Sequence, residues 1–380
     1  MNFAWNEDQL ALHEHALSFA RDLDFSKISA GEFPMEAWQS LGEFGYYGLP
    51  VDSRYSPCGS GFDILTTVKI LEGLGQGCAD TGILFAGAAH TFACVMPIYE
   101  HGSETLKHEL LPALTSGEKI AANAISEAEA GSDIGKLTTK ATREGDYYII
   151  NGAKSYVTNG SVADYFVLYA TTNPKFGYLG QTAFVVPADL PGIEVGKSYK
   201  KLGLDSAQLN QVFFDEVKVH KDYVLGSEGQ GARIFAASMD WERCCLFALF
   251  IGVMQNDLER CIEFANTRKQ GDKTISKFQA VSHRIADMEV RLQSARLLLY
   301  FAAWQKSQDV DNTKAVASSK LAISEAFVQS GIDAIRIHGA AGYLQESGIG
   351  SSIRDALGSV LFSGTSDIQR ELICNRLGLL

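Results

Sequence analysis

The sequence predicts an α+β fold in three successive parts: an N-terminal helical domain (1–118), a middle β-barrel domain (119–226) and a C-terminal four-helix bundle (227–380). Two changes of hydrophobic period and one argument from length predict it. Apolar residues recur at helical spacing up to about residue 117, alternate from Ile120 to about Leu225, then return to helical spacing. The last part contains three helical stretches of roughly thirty residues each. Helices of that length bury their apolar stripes against one another in a bundle.

Taken in order, Glu7–Leu23 places Leu10, Leu12, Ala16, Leu17, Phe19 and Ala20 at helical spacing with charges between them. Phe33-Pro34 punctuates, and Met35–Glu43 reads as a second helix. Gly45–Gly61 carries prolines and glycines and reads as a loop. Ile64–Gly75, Thr81–His101 and Thr105–Leu111 follow as helices, the last preceded by a Gly102-Ser103-Glu104 turn and cap. Strands are predicted at Ala121–Ile125, Tyr147–Asn151, Ser155–Thr158, Tyr165–Thr171, Thr182–Pro187, Ile193–Val195 and Gln211–Val219. Asn151-Gly152 is a strong hairpin signal between two of them. Short strands separated by Gly, Asn, Asp and Pro suggest a small barrel or sandwich. Helices then cover Ile234–Thr267, Phe278–Gln308, Asn312–His338 and Asp367–Leu377.

With 380 residues, 46% of them hydrophobic, the chain has ample material for a core and for two or three domains. The formal net charge of −12 argues against non-specific nucleic-acid binding. The start, MNFAWNEDQLALHEHAL, lacks the basic and apolar regions of a signal peptide, and no window is read as approaching a membrane span. A cytoplasmic location with no membrane contact is therefore expected. The seven cysteines are scattered without a C-x-x-C pair, so neither a disulfide framework nor a metal site is indicated. His90 lies near Cys94 at helical spacing, but with no third ligand it reads as a packed polar group.

Two stretches invite a chemical reading. AISEAEAGSD (Ala124–Asp133) is a strand end followed by a turn of small residues. Such a turn exposes backbone N–H groups and can cradle a phosphate or the edge of a flat heterocycle; taken alone, it reads first as a plain surface turn. Glu242 in MDWERCCLFALFIG, read alone, is a solvated helix charge; in an apolar setting made by Cys244, Leu246 and Phe247 its pKa would rise toward a working pH.

ISEAEAGSD followed by INGAKSYVTNG resembles the flavin-binding middle domain of the acyl-CoA dehydrogenase family, with Ser126 and Ala128 in place of the usual Thr and Pro. IHGAAGY (Ile337–Tyr343), RDA (Arg354–Ala356) and GTSDIQR (Gly364–Arg370) match the same family near its C-terminus, in order and spacing. The resemblance implies α,β-dehydrogenation of an acyl thioester, with a base for the Cα proton, FAD as acceptor of the Cβ hydride, and hydrogen-bond donors on the carbonyl. Most of the family carries its base immediately before Gly-Thr, where this chain has Ser363. A minority carries it in a Glu-Arg pair on the first long bundle helix, which corresponds to Glu242 and Arg243.

For the cofactor, the resemblance implies that Asn123, Ile125 and Ser126 lie along the isoalloxazine edge, and that Gly131 and Ser132 approach the pyrophosphate. Tyr156 would stack near the ring and Thr158 would bond N5. Thr365 and Asp367 would reach the adenosine side. Arg268, Arg336, Gly339 and Ala340 would come from a neighbouring subunit, which implies a homotetramer. Arg-Lys-Gln-Gly-Asp at 268–272 lacks the aromatic residue usual there, and Ala340 stands where a second Gly is usual.

TNPKFGYLGQTAFVV, MDWERCCLFALFIG and FSGTSDIQRELI look nearest to the branch that oxidises L-prolyl thioesters on a peptidyl carrier protein. There a phosphopantetheine arm delivers the substrate to a short pocket, for which Phe247, Phe250 and Tyr343 are candidates by position. The backbone N–H of Ser363 and a flavin hydroxyl would hold the carbonyl oxygen. The product would be a pyrroline or a pyrrole thioester. An electron-transfer flavoprotein or dioxygen would reoxidise the cofactor. A short- or branched-chain acyl-CoA dehydrogenase and a flavin monooxygenase on the same scaffold remain as alternatives; in the latter Ser363 would be no anomaly and Glu242 a bystander.

Overall fold

Capping side chains set where the first helices begin. In the computed structural model, which describes residues 4–25, 28–29, 31–308 and 310–379, α1 (Glu7–Arg21) starts at Asn6. Its side chain accepts from the Gln9 N–H at 2.8 Å while the Gln9 amide returns to the Asn6 N–H. Helix α2 (Met35–Phe44) ends at Gly45 in the left-handed conformation. Asp63, Asp80 and Ser103 cap α3 (Ile64–Gly77), α4 (Thr81–His90) and α6 (Glu104–Ser116).

The predicted Thr81–His101 helix is interrupted. Between α4 and α5 (Met96–His101), Thr91–Val95 widens into one π-helical turn, in which the Met96 N–H bonds to Thr91 O. Pro97 is the physical reason: it has no N–H to donate, and its ring crowds the carbonyl four residues back. Thr81–His101 also corrects the membrane reading. It has the length and hydropathy of a spanning helix, but its apolar window is 100% buried inside the protein.

The middle part is one eight-stranded sheet made of β1 (Ala121–Ala124), β2 (Lys140–Glu144), β3 (Tyr147–Thr158), β4 (Tyr165–Thr171), β5 (Gln181–Pro187), β6 (Ile193–Val195), β7 (Leu209–His220) and β8 (Val224–Leu225). The order is β6-β7-β3-β2-β4-β5-β8, with β1 parallel to β4. The sheet curls so that its two arms share a core, Phe166 meeting Phe214 and Tyr148 meeting Phe184 edge to face. The edge strands β6 and β8 do not pair with each other, so the barrel is open along that seam.

Asn151-Gly152 is not a hairpin turn. It lies inside β3, at a bulge opposite β7. Asn151 supplies the reason. Its side chain pairs with the Glu216 N–H (2.9 Å) and carboxylate (2.7 Å), which holds the bulge across two strands. The chain reverses at Gly145 (φ 62°) instead, between β3 and the unforeseen β2.

The C-terminal part holds α7 (Gly231–Thr267), the short pair β9 (Lys269–Gln270) and β10 (Lys273–Thr274), α8 (Gln279–Ser307), α9 (Thr313–His338), α10 (Ile349–Ser359) and α11 (Ser366–Arg376). Helices α7, α8 and α9 pack on one another, and α10, absent from the sequence reading, joins α11 against α9 in the fourth position. Helix α7 is central: every residue from Cys244 to Met254 is buried. It meets α3 backbone to backbone. A Cβ on Gly252 would lie 2.1 Å from Glu72 O, and one on Gly75 would lie 2.0 Å from Leu249 O. Gly252→Ala is therefore expected to destabilise the protein by about 1–3 kcal/mol through overpacking, read as a lower denaturation midpoint; an unchanged midpoint would refute the close crossing.

Candidate active site

Eleven residues into α7, Glu242 reaches a turn between α10 and α11. Its side chain is buried, and its Oε1 accepts a hydrogen bond from the Ser363 hydroxyl. Ser363 (φ 55°) and Gly364 (φ 83°) both hold left-handed backbone, a strained conformation for Ser. The turn is held from three directions. Arg243 Nε donates to Ser363 O at 2.9 Å, Gln369 Nε2 donates to Gly364 O at 3.0 Å, and Lys320 Nζ on α9 donates to Ser359 O at 2.8 Å. The N–H groups of Ser363 and Gly364 have no acceptor among the described residues, so the turn presents two free donors beside a carboxylate.

Burial pushes the Glu242 carboxyl above its ordinary range; the Ser363 hydroxyl, Arg243 and Lys320 pull the other way without cancelling it. Burial, then the neighbouring Arg243, lowers Lys320 to about 7. A carboxylate raised in this way is a competent general base at neutral pH. Cys94 and Tyr169 lie close enough to Glu242 to feel its charge.

An aromatic wall stands behind the turn. Phe362 packs on Phe85, Phe247 and Phe250, with ring centroids 4.7, 5.9 and 6.0 Å away. Phe247 and Phe250 are wholly buried. The wall is apolar apart from Lys320, whose Nζ lies 5.3 Å from the centre of the Phe247 ring.

The residues assigned to the flavin gather around β1 and the end of β3. Asn123 is on β1, with Ile125 and Ser126 just after it, and the Ser155 N–H donates to Ser126 O at 2.8 Å. Asn123 Oδ1 is buried with no partner among the described residues, an acceptor of the kind that a heterocycle-edge donor would satisfy. Next to Thr158, a register shift bulges β3, and Tyr156 (φ 59°) turns 61% exposed onto the surface. Gly131 has open space where a Cβ would point, and Ser132 is exposed beside it. An orphaned acceptor, a strained exposed aromatic and a small-residue cradle fit FAD. Thr365 uses its hydroxyl to cap α11, accepting from the Ile368 N–H, and Asp367 pairs with Arg370 at the surface.

Beneath that cradle lies a buried ion pair that the sequence reading did not single out. Lys154 Nζ is 2.9 Å from Glu127 Oε1 and 2.8 Å from Ile125 O. Glu127 also accepts from the Thr138 N–H and hydroxyl and from the Thr139 N–H. Burial would raise Glu127, but Lys154 and these donors outweigh it and hold the carboxyl at about 2. The only sequence signal was one Lys among alternating apolar residues; the same holds for Lys320 within α9.

The other candidates lie elsewhere. Arg268 follows the C-terminal end of α7, and His338 stacks on Phe264 there, which brings Arg336, Gly339, Ala340 and Tyr343 to the same end. At 1.5 Å per residue this end is roughly 35–40 Å along α7 from Glu242. Tyr343, expected in the substrate pocket, is 86% exposed there and cannot line that pocket within one chain. His90 is a packed group as read: Nε2 meets Leu114 O and Nδ1 accepts from the Ala121 N–H, each at 2.9 Å.

Comparison with known proteins finds three matching family descriptions: acyl-CoA dehydrogenase N-terminal domain over residues 6–118, middle domain over 122–217, and C-terminal domain over 229–378. The L-prolyl-[peptidyl-carrier protein] dehydrogenase of Pseudomonas fluorescens is 46% identical over 348 residues, 91% of each chain. A crystal structure described as an FAD-dependent dehydrogenase is 74% identical, with TM-score 0.97 and 100% of both chains covered. A structure described as PigA with FAD and proline is 40% identical, again with TM-score 0.97 over 100% of both chains.

Proposed function

The chain belongs to the acyl-CoA dehydrogenase family, whose members are FAD-dependent oxidoreductases acting on CH–CH bonds, and from that premise we propose that it oxidises an L-prolyl group held as a thioester on a peptidyl carrier protein. The observation that carries this reading is the buried Glu242 accepting from Ser363, the residue standing where most of the family has its base. Glu242 takes the Cα proton of the prolyl group. The free N–H of Ser363 donates to the thioester carbonyl oxygen, where negative charge develops as the proton leaves. Arg243 and Gln369 keep that N–H in place through the turn's carbonyls. Bound FAD supplies the acceptor for the Cβ hydride. Phe362, backed by Phe247 and Phe250, limits the pocket to a short acyl group and excludes water.

Around this site the residues of the Asn123–Ser132 segment, with Tyr156, Thr158, Thr365 and Asp367, hold the cofactor of the same chain, and Arg268, Arg336, Gly339 and Ala340 serve that of a neighbour in a homotetramer. The exposed apolar side chains of α8, among them Val290, Leu297 and Trp304, suit burial in that assembly. The acceptor is an electron-transfer flavoprotein or dioxygen.

Anaerobic titration tests the reading. L-prolyl-carrier protein is expected to bleach the yellow protein, whereas butyryl-CoA and isovaleryl-CoA leave it oxidised. Bleaching by a CoA ester alone would replace the carrier-bound substrate with a short-chain acyl-CoA. No bleaching by any thioester would overturn the dehydrogenase reading in favour of monooxygenation.

A further inference from the structure

Between β4 and β5, the segment Pro174–Gly180 places two large apolar side chains in solvent, Phe176 at 65% and Leu179 at 69% exposure. The segment is anchored at both ends. The Thr172 and Asn173 N–H groups donate to Gly180 O at 3.0 and 3.1 Å, and Asn173 Oδ1 caps it by accepting from the Lys175 N–H. Between the two exposed side chains, Tyr178 turns back and its hydroxyl donates to Ala232 O at 3.0 Å, in the first turn of α7. With Tyr178 so held, Phe176 and Leu179 are kept outward rather than left to collapse onto the protein.

The surrounding charge is not balanced. Lys136 is paired with Asp133 at 2.9 Å, and Glu228 faces Arg143 and Tyr148. Lys175 lies on the segment itself and Arg233 follows the Ala232 whose carbonyl Tyr178 bonds; both are exposed, two cations without an ion-pair partner among the described residues on a chain of net charge −12.

The patch is tied to the helix that carries Glu242 by the Tyr178 hydroxyl on Ala232 O. Tyr178 lies within electrostatic reach of Arg243, Arg243 holds the Ser363 carbonyl, and Ser363 bonds Glu242. Resting on the function proposed above, we propose that Phe176, Leu179, Lys175 and Arg233 form the docking surface for the carrier domain. Its occupant would present carboxylates around an apolar helix face next to the serine that bears the phosphopantetheine arm. The cations steer the encounter and set its orientation, and the apolar pair anchors it. The arm then follows the path from Tyr178 past Arg243 to Glu242.

The test compares two thioesters of the same prolyl group, one on the carrier protein and one on free pantetheine, in the wild type and in Phe176→Ser/Leu179→Ser and Lys175→Glu/Arg233→Glu. All four positions are exposed, so the variants are expected to keep the wild-type flavin spectrum and melting behaviour. The expected result is a KM for prolyl-carrier protein raised about ten-fold or more, with kcat and the pantetheine thioester unaffected. Equal loss with both thioesters, or no loss with the carrier, would overturn the docking surface while leaving the function intact. A changed sedimentation coefficient would overturn it too, by making the patch a contact between copies of this chain. Wild type that oxidises neither prolyl thioester would instead remove the function on which the inference rests.

Discussion

Glu242→Gln is expected to slow flavin reduction by the acyl thioester about 10³- to 10⁴-fold, the upper range of what a positioned base contributes, while the protein stays yellow and folded. Gln keeps the oxygen that accepts from Ser363 and removes only the basicity, so the loss reports proton abstraction and not packing. The same group sets the pH dependence. Because burial raises the carboxyl and the ionised form is the base, the reduction rate should rise with pH through an inflection above the ordinary carboxylate range. Ser363→Ala removes a donor that favours the ionised form, so the inflection should move further up. Stopped-flow reduction across pH measures both. A Glu242→Gln enzyme that reduces its flavin at the wild-type rate would leave Glu242 a bystander.

Lys154→Met should cost about 3–5 kcal/mol of stability, the usual penalty for stranding one member of a buried pair, and should yield protein that loses FAD. Lys154 is wholly buried and ties Glu127 to Ile125 O directly under the Ser126–Ser132 cradle. Adding Glu127→Gln should recover part of the loss, because the stranded charge is then gone. The denaturation midpoint and the absorbance of retained flavin measure the two effects. Glu127 is held at about 2 in the folded protein, a depressed carboxylate. Its contribution is therefore fully present above the ordinary carboxylate range and disappears only as pH falls toward 2. A Lys154→Met protein as stable as wild type would show that the pair contributes nothing net.

Both predictions depend on side chains brought together from far apart in the chain, and they differ in how much could be read beforehand. Glu242 could be nominated from the sequence because two local facts agreed: Ser363 cannot be a base, and a Glu-Arg pair stands at the alternative position that the family resemblance implies. Lys154 and Lys320 were not readable as partners. A lysine in an apolar run gives a weak signal, and its partners are set by how β3 lies over the cradle and how α9 lies against the Ser359–Gly364 turn. Asn151-Gly152 misled for a related reason. Its turn propensity is real, but Glu216 on a strand sixty-five positions away takes both ends of the Asn151 side chain and keeps β3 running.

By itself the sequence determined what repeats locally: the helix–strand–helix order, the helix caps, the small-residue cradle, and the motifs that assign the family. Each depends on period, turn chemistry or residue type within one short window. The tertiary structure alone decided the π-turn's burial, the partner of each buried charge, the hydrogen bond from Ser363 to Glu242, and the outward hold on Phe176 and Leu179. Those depend on desolvation and on contacts between segments, and such energies are fixed only when the chain has closed around them.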